Sequence, residues 1–499
     1  MPASSQPILL TDEEMRRYIT DGYLVLDSEC LPEIHAHIDA QLAHVLKREG
    51  NHGNNILPAV PEMHQVLESP RIVGALQSIL GADYLLHPHR FAHNIEPAEV
   101  VEGEQKIGRG SASFVGWHQD SHSPLSRPRH HSFQYAMILY YPQDTPIERG
   151  PTQLIPATHL NRAISETDKT RGIRAAGKAG TCVLVHFDTV HGGSMNVSDR
   201  SRFMVKFVFA RATEPSLSPW KATNQTWENP EKSLAPVEMP NVWSHLWKWV
   251  RGENPESVGT ATTEEVSTWL NALNGAEPAR QEAIYALCAL GKSAVEPLHK
   301  MLAECKHNGW TEDAVVMEDM AYALAGIGTP AIPALLALLE HNNEWVQINA
   351  AFALGEMGSR AKEAVPTLVR LLSHPSHSVV RTALDALGQI RVGASIALPE
   401  IHRLLTQDNP EWGSMIYRAW TGQNQVRMNA MMALIRMGKE SAKAEEWIES
   451  VLEDACGYVG GWGVEWCLRR DTPKAQKIAL DYLYRHRWDS TLRQGIRTY

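Results

Sequence analysis

Two segments hold residue types that could share a metal ion. The first is VGWHQDSHSP, residues 115–124, in which His118 and Asp120 stand two apart. The second is HFDTVHGGSMNVSDRSRF, residues 186–203, in which His191 lies 71 positions beyond Asp120. Two imidazoles and one carboxylate on one face of a metal leave its other positions open, an arrangement that suits non-haem Fe(II) in oxygenases. The spacing alone is weak, because His186 and Asp188 repeat it. That second pair sits in an alternating strand and would leave His118 and Asp120 unexplained. Asp188 is expected instead to orient His191. On the residues alone, structural loop histidines remain the alternative for all three positions.

The elements around these segments alternate. GYLVLDSE, FQYAMILYY, GPTQLIPATH, GTCVLVHFD and SRFMVKFVFARA read as strands separated by Gly, Pro, Asp and Asn. A helix opening on a Thr11–Glu14 capping box precedes the first of them. Short strands with few long helices point to a β-sandwich or jelly roll. The second half repeats instead. Ala-Leu pairs recur at Ala286, Ala323, Ala353 and Ala386, with a degraded copy at Ala433. Helix-starting prolines recur at Pro297, Pro333, Pro366 and Pro399. Each unit reads as helix, glycine turn, proline and second helix, a solenoid of HEAT-like hairpins that bury their apolar faces by stacking. Between the halves, residues 213–256 combine Pro, Ser and Asn with Trp220, Trp227, Trp243, Trp247 and Trp249. So aromatic a stretch is expected to be a packed connector, with NVWSHLWKWVRG a helix whose tryptophans are buried. The expected division is 1–212, 213–256 and 257–499.

The 499 residues carry a formal charge of −10, of which −3 falls within the first 212. Neither half has the basic excess of a nucleic-acid binder. The first residues lack the charge and apolar run of a secretory signal, and no stretch reads as a membrane span. Six cysteines without a C-x-x-C pair read as buried thiols of a cytoplasmic protein.

From about Leu10 to Ala212 the chain resembles the phytanoyl-CoA dioxygenase family of Fe(II)/2-oxoglutarate oxygenases. LTDEEMRRYITDGYLVL, WHQDSH, RGPTQLIPATHL and FDTVHGGSMNVSDRSRF carry the resemblance, in that order. It implies a double-stranded β-helix, a jelly-roll variant of cupin-like form, ahead of the α-helical HEAT-like solenoid. It also implies iron on His118, Asp120 and His191, with 2-oxoglutarate and O2 as cosubstrates. The distal carboxylate of 2-oxoglutarate falls to Arg202, which stands at the family's spacing of 11 residues after the distal histidine. A buried carboxylate suits a permanent, forked cation. Arg200 is the rival and reads as a surface residue. The family often has H-G-S after the distal histidine. Here the order is His191-Gly192-Gly193-Ser194, so either Ser194 or backbone amides take that serine's part. Met137 matches a position, often Trp, on the strand lining the cosubstrate pocket, and reads equally as core. Asn196 is expected beside the ligands.

The chemistry implied is hydroxylation, desaturation or rearrangement at a C–H position of a small metabolite, with succinate and CO2 as coproducts. Asp120 argues against halogenation, which needs a small residue there. Substrate-facing candidates are Trp117 and, in the loop SHSPLSRPRHH, His122, Arg127 and Arg129; a solvated basic loop is the plainer alternative. His87, His89 and His93 could suit a metal by spacing, but read as structural. The solenoid is expected to serve as an appendage, a site of self-association, or a surface for a protein partner or carrier-bound substrate. A scaffold with a quiet β-domain is the remaining alternative. No nucleic-acid or membrane partner is expected.

Overall fold

Four of the alternating runs pair with one further strand into a five-stranded antiparallel sheet, and the repeats stack into helical layers against it. The computed structural model describes residues 6–98, 100–101, 104–105, 116–120, 128–253, 261–306, 315–417 and 420–486. Helix α1 (Asp12–Asp21) begins at the expected capping box: the Glu14 N–H donates to Thr11 Oγ1 at 3.3 Å, and the Thr11 N–H to Glu14 Oε2 at 2.9 Å. It ends at Gly22, which is left-handed with φ 77°. A Cβ at Gly22 would collide with His159 Nδ1 and Thr189 Oγ1. Its carbonyl accepts from the His186 N–H and the Thr189 hydroxyl. Glycine therefore lets the first helix close against the loop that leads to His191.

After β1 (Tyr23–Asp27) comes a helical block: α2 (Pro32–Arg48), α3 (Ile56–Ala59), α4 (Met63–Leu67) and α5 (Pro70–Leu80). The expectation of few long helices in this half is corrected here. Isoleucine, leucine and alanine recur along α5 at helical spacing, and Ile72, Ala75, Leu76 and Ile79 are fully buried. The strands follow as β2 (Leu85–Ile95), β3 (Val100–Val101), β4 (Glu104–Gln105), β5 (Tyr135–Tyr140), β6 (Gln153–Leu154), β7 (Ile173–Arg174), β8 (Thr181–His186), β9 (His191–Gly192) and β10 (Arg202–Ala210), with α6 (Glu166–Lys169) between β6 and β7. Of GPTQLIPATH only Gln153–Leu154 is strand.

The main sheet runs β1-β8-β5-β10-β2, and a smaller one runs β7-β6-β9. Register sorts side chains between two faces. Val208 stands opposite Met137, Lys206 opposite Leu139 and Phe91, and Met204 opposite His93, so these share one face with Arg202. The other face turns toward the helices: α5 touches β1 and β5, and Tyr140 OH bonds His35 of α2 at 2.8 Å. The result is the expected jelly roll, backed by helices.

The Trp-rich connector is packed. Trp220 Nε1–H donates to Asp12 Oδ1 at 2.7 Å, and its ring lies 4.9 Å from that of Trp247. Trp243 and Trp247 are buried in α7 (Pro240–Val250), which touches α1. Beyond it stand α8 (Thr263–Ala272), α9 (Glu277–Leu290), α10 (Lys292–Ala303), α11 (Asp319–Ile327), α12 (Ile332–Leu339), α13 (Glu344–Glu356), α14 (Val365–Leu371), α15 (His377–Ile390), α16 (Leu398–Thr406), the hairpin β11 (Met415–Tyr417) and β12 (Trp420–Thr421), α17 (Gly422–Met437), α18 (Gly457–Arg470) and α19 (Pro473–His486). The recurring alanines are buried on α9, α11, α13, α15 and α17. Small residues let these helices approach: a Cβ at Gly388 would come 2.9 Å from Ala433 Cα. Pro333, Pro366 and Pro399 open α12, α14 and α16. Pro297 departs from the pattern and lies inside α10, because the turn that is 3-10 in those three units is α-helical here. Among the described residues no single helix is long and apolar enough to cross a membrane.

The repeat helices dock on the jelly roll through residues 129–135. The Arg129 N–H donates to the Val315 carbonyl at 3.0 Å, and Tyr322 OH donates to the Arg129 carbonyl at 2.7 Å. His131 stacks on Tyr322 at 3.9 Å and bonds Tyr285 OH. Glu356 of α13 binds His130 Nδ1 at 2.8 Å and the Ser132 hydroxyl at 2.6 Å. Arg436 of α17 reaches Tyr135 OH and the Arg211 carbonyl. Burial would raise the Glu356 pKa, but His130, Ser132 and Arg436 outweigh it and hold the carboxyl below its usual range. The charge therefore stabilises the fold fully at neutral pH and less as pH falls through that lowered value. Glu356→Gln is expected to cost about 1–3 kcal/mol at neutral pH, with the gap to wild type narrowing below about pH 4; urea unfolding at both pH values checks this.

Candidate functional site

His118, Asp120 and His191 converge. Each offers one ligand atom, and these atoms all lie within 4.8 Å of one another. Backbone pairing brings the two histidines together: His118 and His191 form an antiparallel bridge, N–H to carbonyl in both directions, at 3.1 and 3.0 Å. Their rings stand 4.3 Å apart. His118 Nδ1 meets the Gly116 carbonyl at 3.0 Å, and His191 Nδ1 meets the Thr189 carbonyl at 3.0 Å. A carbonyl only accepts, so each imidazole carries a proton on Nδ1 and turns Nε2 away from that carbonyl. Both Nε2 atoms face Asp120, at 3.9 Å from Oδ1 and 3.8 Å from Oδ2.

Asp120 is buried. Burial alone would raise its pKa, yet Lys206, His191, His118 and His89 together overcome that and hold it far below the usual carboxylate range. His191 is pushed down to about 3 by burial and by the neighbouring His118, so it is neutral at physiological pH. Imidazole nitrogens and an ionised carboxylate are the donor set a divalent metal requires. Lys206 was not among the sequence candidates. Its ammonium lies 3.1 Å from Asp120 Oδ2, and it is buried. The signal for it was a lone lysine inside the apolar run RFMVKFVFA, four residues from Arg202 and therefore on the same strand face.

Arg202 is almost wholly buried at the start of β10, and its Nε–H donates to the Gly150 carbonyl at 3.0 Å. Its Nη1 has no hydrogen-bond partner among the described residues. A buried guanidinium nitrogen without an acceptor is costly unless a ligand supplies one, and a carboxylate fits. Arg200 lies outside β10 in an exposed turn. Met137 is fully buried on the face that carries Arg202 and Lys206.

Other expectations change. Asp188 does not orient His191, because the Thr189 carbonyl already holds that Nδ1. Asp188 receives the Gln119 amide through its own carbonyl instead. Asn196 does not bond the ligands either: it ties the Ile95 and Arg200 carbonyls to the turn before β10. The Ser194 hydroxyl donates to the Pro151 carbonyl, which commits its one proton. Arg129 does not face a substrate. Its guanidinium binds the Asn161 and Arg162 carbonyls beneath the docked solenoid. Trp117 is half-buried with its ring edge against Gly172. His122 and Arg127 lie outside the described residues. A groove of about 700 Å³ runs between α2, β2, α18 and α19, lined by residues such as Val45, Arg90, Val464 and Tyr482, away from these ligands. Donor chemistry, rather than cavity size, marks the site.

Comparison with known proteins agrees with this geometry. The family model of phytanoyl-CoA dioxygenase (PhyH) matches residues 7–204. HEAT repeats match 332–419, and the PBS lyase HEAT-like repeat matches 318–341. An ectoine dioxygenase of Bordetella parapertussis is 23% identical over 256 residues, covering 42% of this chain and 79% of the relative. Among solved structures, the epimerase SnoN in complex with Fe3+, alpha ketoglutarate and nogalamycin RO is 18% identical over 45% of this chain and 95% of its own, with a TM-score of 0.33. EctD from S. alaskensis with 2-oxoglutarate and 5-hydroxyectoine is 14% identical over 48% and 92%, with a TM-score of 0.34. Residues 7–204 thus match the phytanoyl-CoA dioxygenase family model, and HEAT-like repeats follow in the C-terminal half.

Proposed function

We propose that the chain is an Fe(II)- and 2-oxoglutarate-dependent oxygenase that hydroxylates, desaturates or rearranges a C–H position of a small molecule. The observation that carries this reading is the convergence of the His118 and His191 Nε2 atoms on a buried, ionised Asp120. His118, Asp120 and His191 would hold the metal, and Arg202 would take the distal carboxylate of 2-oxoglutarate. The chemistry the metal supplies when bound is activation of O2 coupled to decarboxylation of 2-oxoglutarate.

The chain's own residues do the positioning. The Gly116 and Thr189 carbonyls fix both imidazole tautomers. Lys206 holds Asp120 Oδ2, which keeps the carboxylate from rotating. Met137, Leu139 and Val208 line the same sheet face with apolar surface and exclude water from competing reactions. Delivery of a carrier-bound substrate on the solenoid gains no support, because α9, α11, α13 and α17 turn toward the jelly roll. The ionised donor set also disfavours a quiet scaffold.

Two predictions test the reading. Asp120→Ala is expected to abolish Mn(II) binding by calorimetry and succinate release from 2-oxoglutarate, whereas Asp188→Asn keeps both. A reversed ranking would move the metal to the second His-x-Asp pair. Arg202→Met is expected to raise KM for 2-oxoglutarate by about 100-fold, the loss of a bidentate charged contact, with Mn(II) affinity retained. An unchanged KM would remove Arg202 from the cosubstrate site.

A further inference from the structure

Away from the metal-ligand set, three arginines meet where the jelly roll, the connector and the repeats come together. Arg211 follows the last residue of β10, Arg360 lies between α13 and α14, and Arg436 is on α17. With Trp249, Glu356 and Gln389 they wall a cleft of about 70 Å³. A single water needs roughly 10–15 Å³ of such space, so the cleft has room for a ligand of several atoms. Arg211 stands nine residues beyond Arg202, about 30 Å along an extended strand. The cleft is therefore separate from the cosubstrate site.

Arg211 and Arg436 are each 3% exposed. Their hydrogen bonds go to neutral groups. Arg211 donates to the Phe133, Thr213 and Ile79 carbonyls and lies over the Trp249 ring. Arg436 donates through Nε to the Arg211 carbonyl and through Nη2 to the Tyr135 hydroxyl, both at 3.3 Å. Arg436 Nη1 is buried with no hydrogen-bond partner among the described residues. Burial pushes the Arg211 guanidinium down to about 9; Asp83 opposes that fall, and the like charge of Arg436 adds to it.

The carboxylates on the wall are engaged elsewhere. Glu356, whose pKa Arg436 helps to lower, accepts from His130 and Ser132. Glu253 accepts from Arg251, and Glu214 accepts from the Ser359 N–H and is the charge that favours ionised Arg360. Among the described residues neither Arg211 nor Arg436 forms an ion pair with a carboxylate. A buried charge is costly unless it is both paired and hydrogen-bonded. A water would give Nη1 an acceptor but no charge, whereas an anion supplies both. The Gln389 amide stands on the same wall, where a Cβ at Gly355 would come 2.9 Å from its Oε1. An amide can turn its NH2 end toward an anion.

We propose that this cleft binds a small oxyanion of the phosphate type, held by the Arg436 and Arg211 guanidinium groups. Arg211 belongs to the jelly roll and Arg436 to the repeats, so the bound anion ties the two together and its occupancy strengthens their docking. The site does not depend on the oxygenase reading.

The test titrates the full chain with inorganic phosphate by calorimetry, with sodium chloride adjusted to hold ionic strength constant. Wild type is expected to bind one phosphate per chain, and its unfolding temperature to rise saturably with phosphate. Arg436→Gln is expected to lower that affinity by at least about 10-fold, the loss of a charge-assisted contact. Gln389→Glu, which puts a fixed carboxylate on the wall, is expected to lower it likewise and to unfold at a higher temperature than wild type in phosphate-free buffer. Far-UV circular dichroism checks that both variants are folded. Phenyl phosphate distinguishes the source of the group: tighter binding than inorganic phosphate supports an esterified ligand, and weaker binding supports the free ion. Absence of both a saturable heat and a saturable rise in unfolding temperature would overturn the proposal. So would binding that both variants leave unchanged, as phosphate held at Arg202 would be. Should Arg436→Gln fail to fold, Gln389→Glu decides alone: unaltered phosphate affinity overturns the site.

Discussion

A carboxylate buried in a jelly roll must be neutralised, and the rest of this structure follows from how Asp120 is. A buried, unpaired charge is costly enough that the group would rather take up a proton. Asp120 stays ionised chiefly because the Lys206 ammonium lies against it, with the His118 and His191 imidazoles close by. Those groups come from three places in the chain, and only sheet pairing holds them in register. His118 and His191 are joined main chain to main chain, and Lys206 stands on β10 between β5 and β2. Main-chain bonds fix the ring positions to within the pleat of a sheet, a tighter tolerance than loop side chains would give.

The same requirement explains why the repeats cannot be a loose appendage. The segment that follows Asp120 in the described structure, from Pro128 on, is laid down on α11 and α13. Arg129, His130 and His131 all find their partners there. On the opposite side, α18 buttresses the bulged edge strand through Tyr458 and Trp462. Helical repeats usually leave an inner surface free for a partner. Here several of those helices are occupied by the chain's own β-rich half, so the interface resembles a core more than a recognition surface.

What was legible in the sequence was whatever local pattern determines. The capping box, the strand runs, the alanine repeats and the His-x-Asp pair follow from spacing of two, three or a repeat length, whereas Arg202 was singled out only through the family resemblance. What was not legible depends on partners far away. Arg129 reads as a loop cation until Asn161 and Val315 arrive beside it. Asp188 reads as the group that orients His191, because a backbone carbonyl such as that of Thr189 leaves no mark on the sequence. Within the helical block only α3 and α4, of four and five residues, are too short to show a helical period. Lys206 did carry a signal: a lysine within a fully buried strand demands a buried counter-charge, and Asp120 is it.

Lys206 also bears on how the site is kept ready. A carboxylate has two oxygens, and Lys206 takes Oδ2, leaving Oδ1 on the side of His118. The ligand set therefore needs no metal to keep Asp120 ionised or aimed. A site organised in advance loses less conformational freedom when it binds, since its side chains are already in place. Lys206 is thereby paired, and Arg202, four residues away, is a buried cation with an N–H that lacks an acceptor among the described residues. An anionic ligand would supply that acceptor, whereas an apolar molecule in the same space would not. A lysine paired with Asp120 and an arginine with an N–H that lacks an acceptor among the described residues thus suit an anionic ligand at Arg202 on electrostatic grounds.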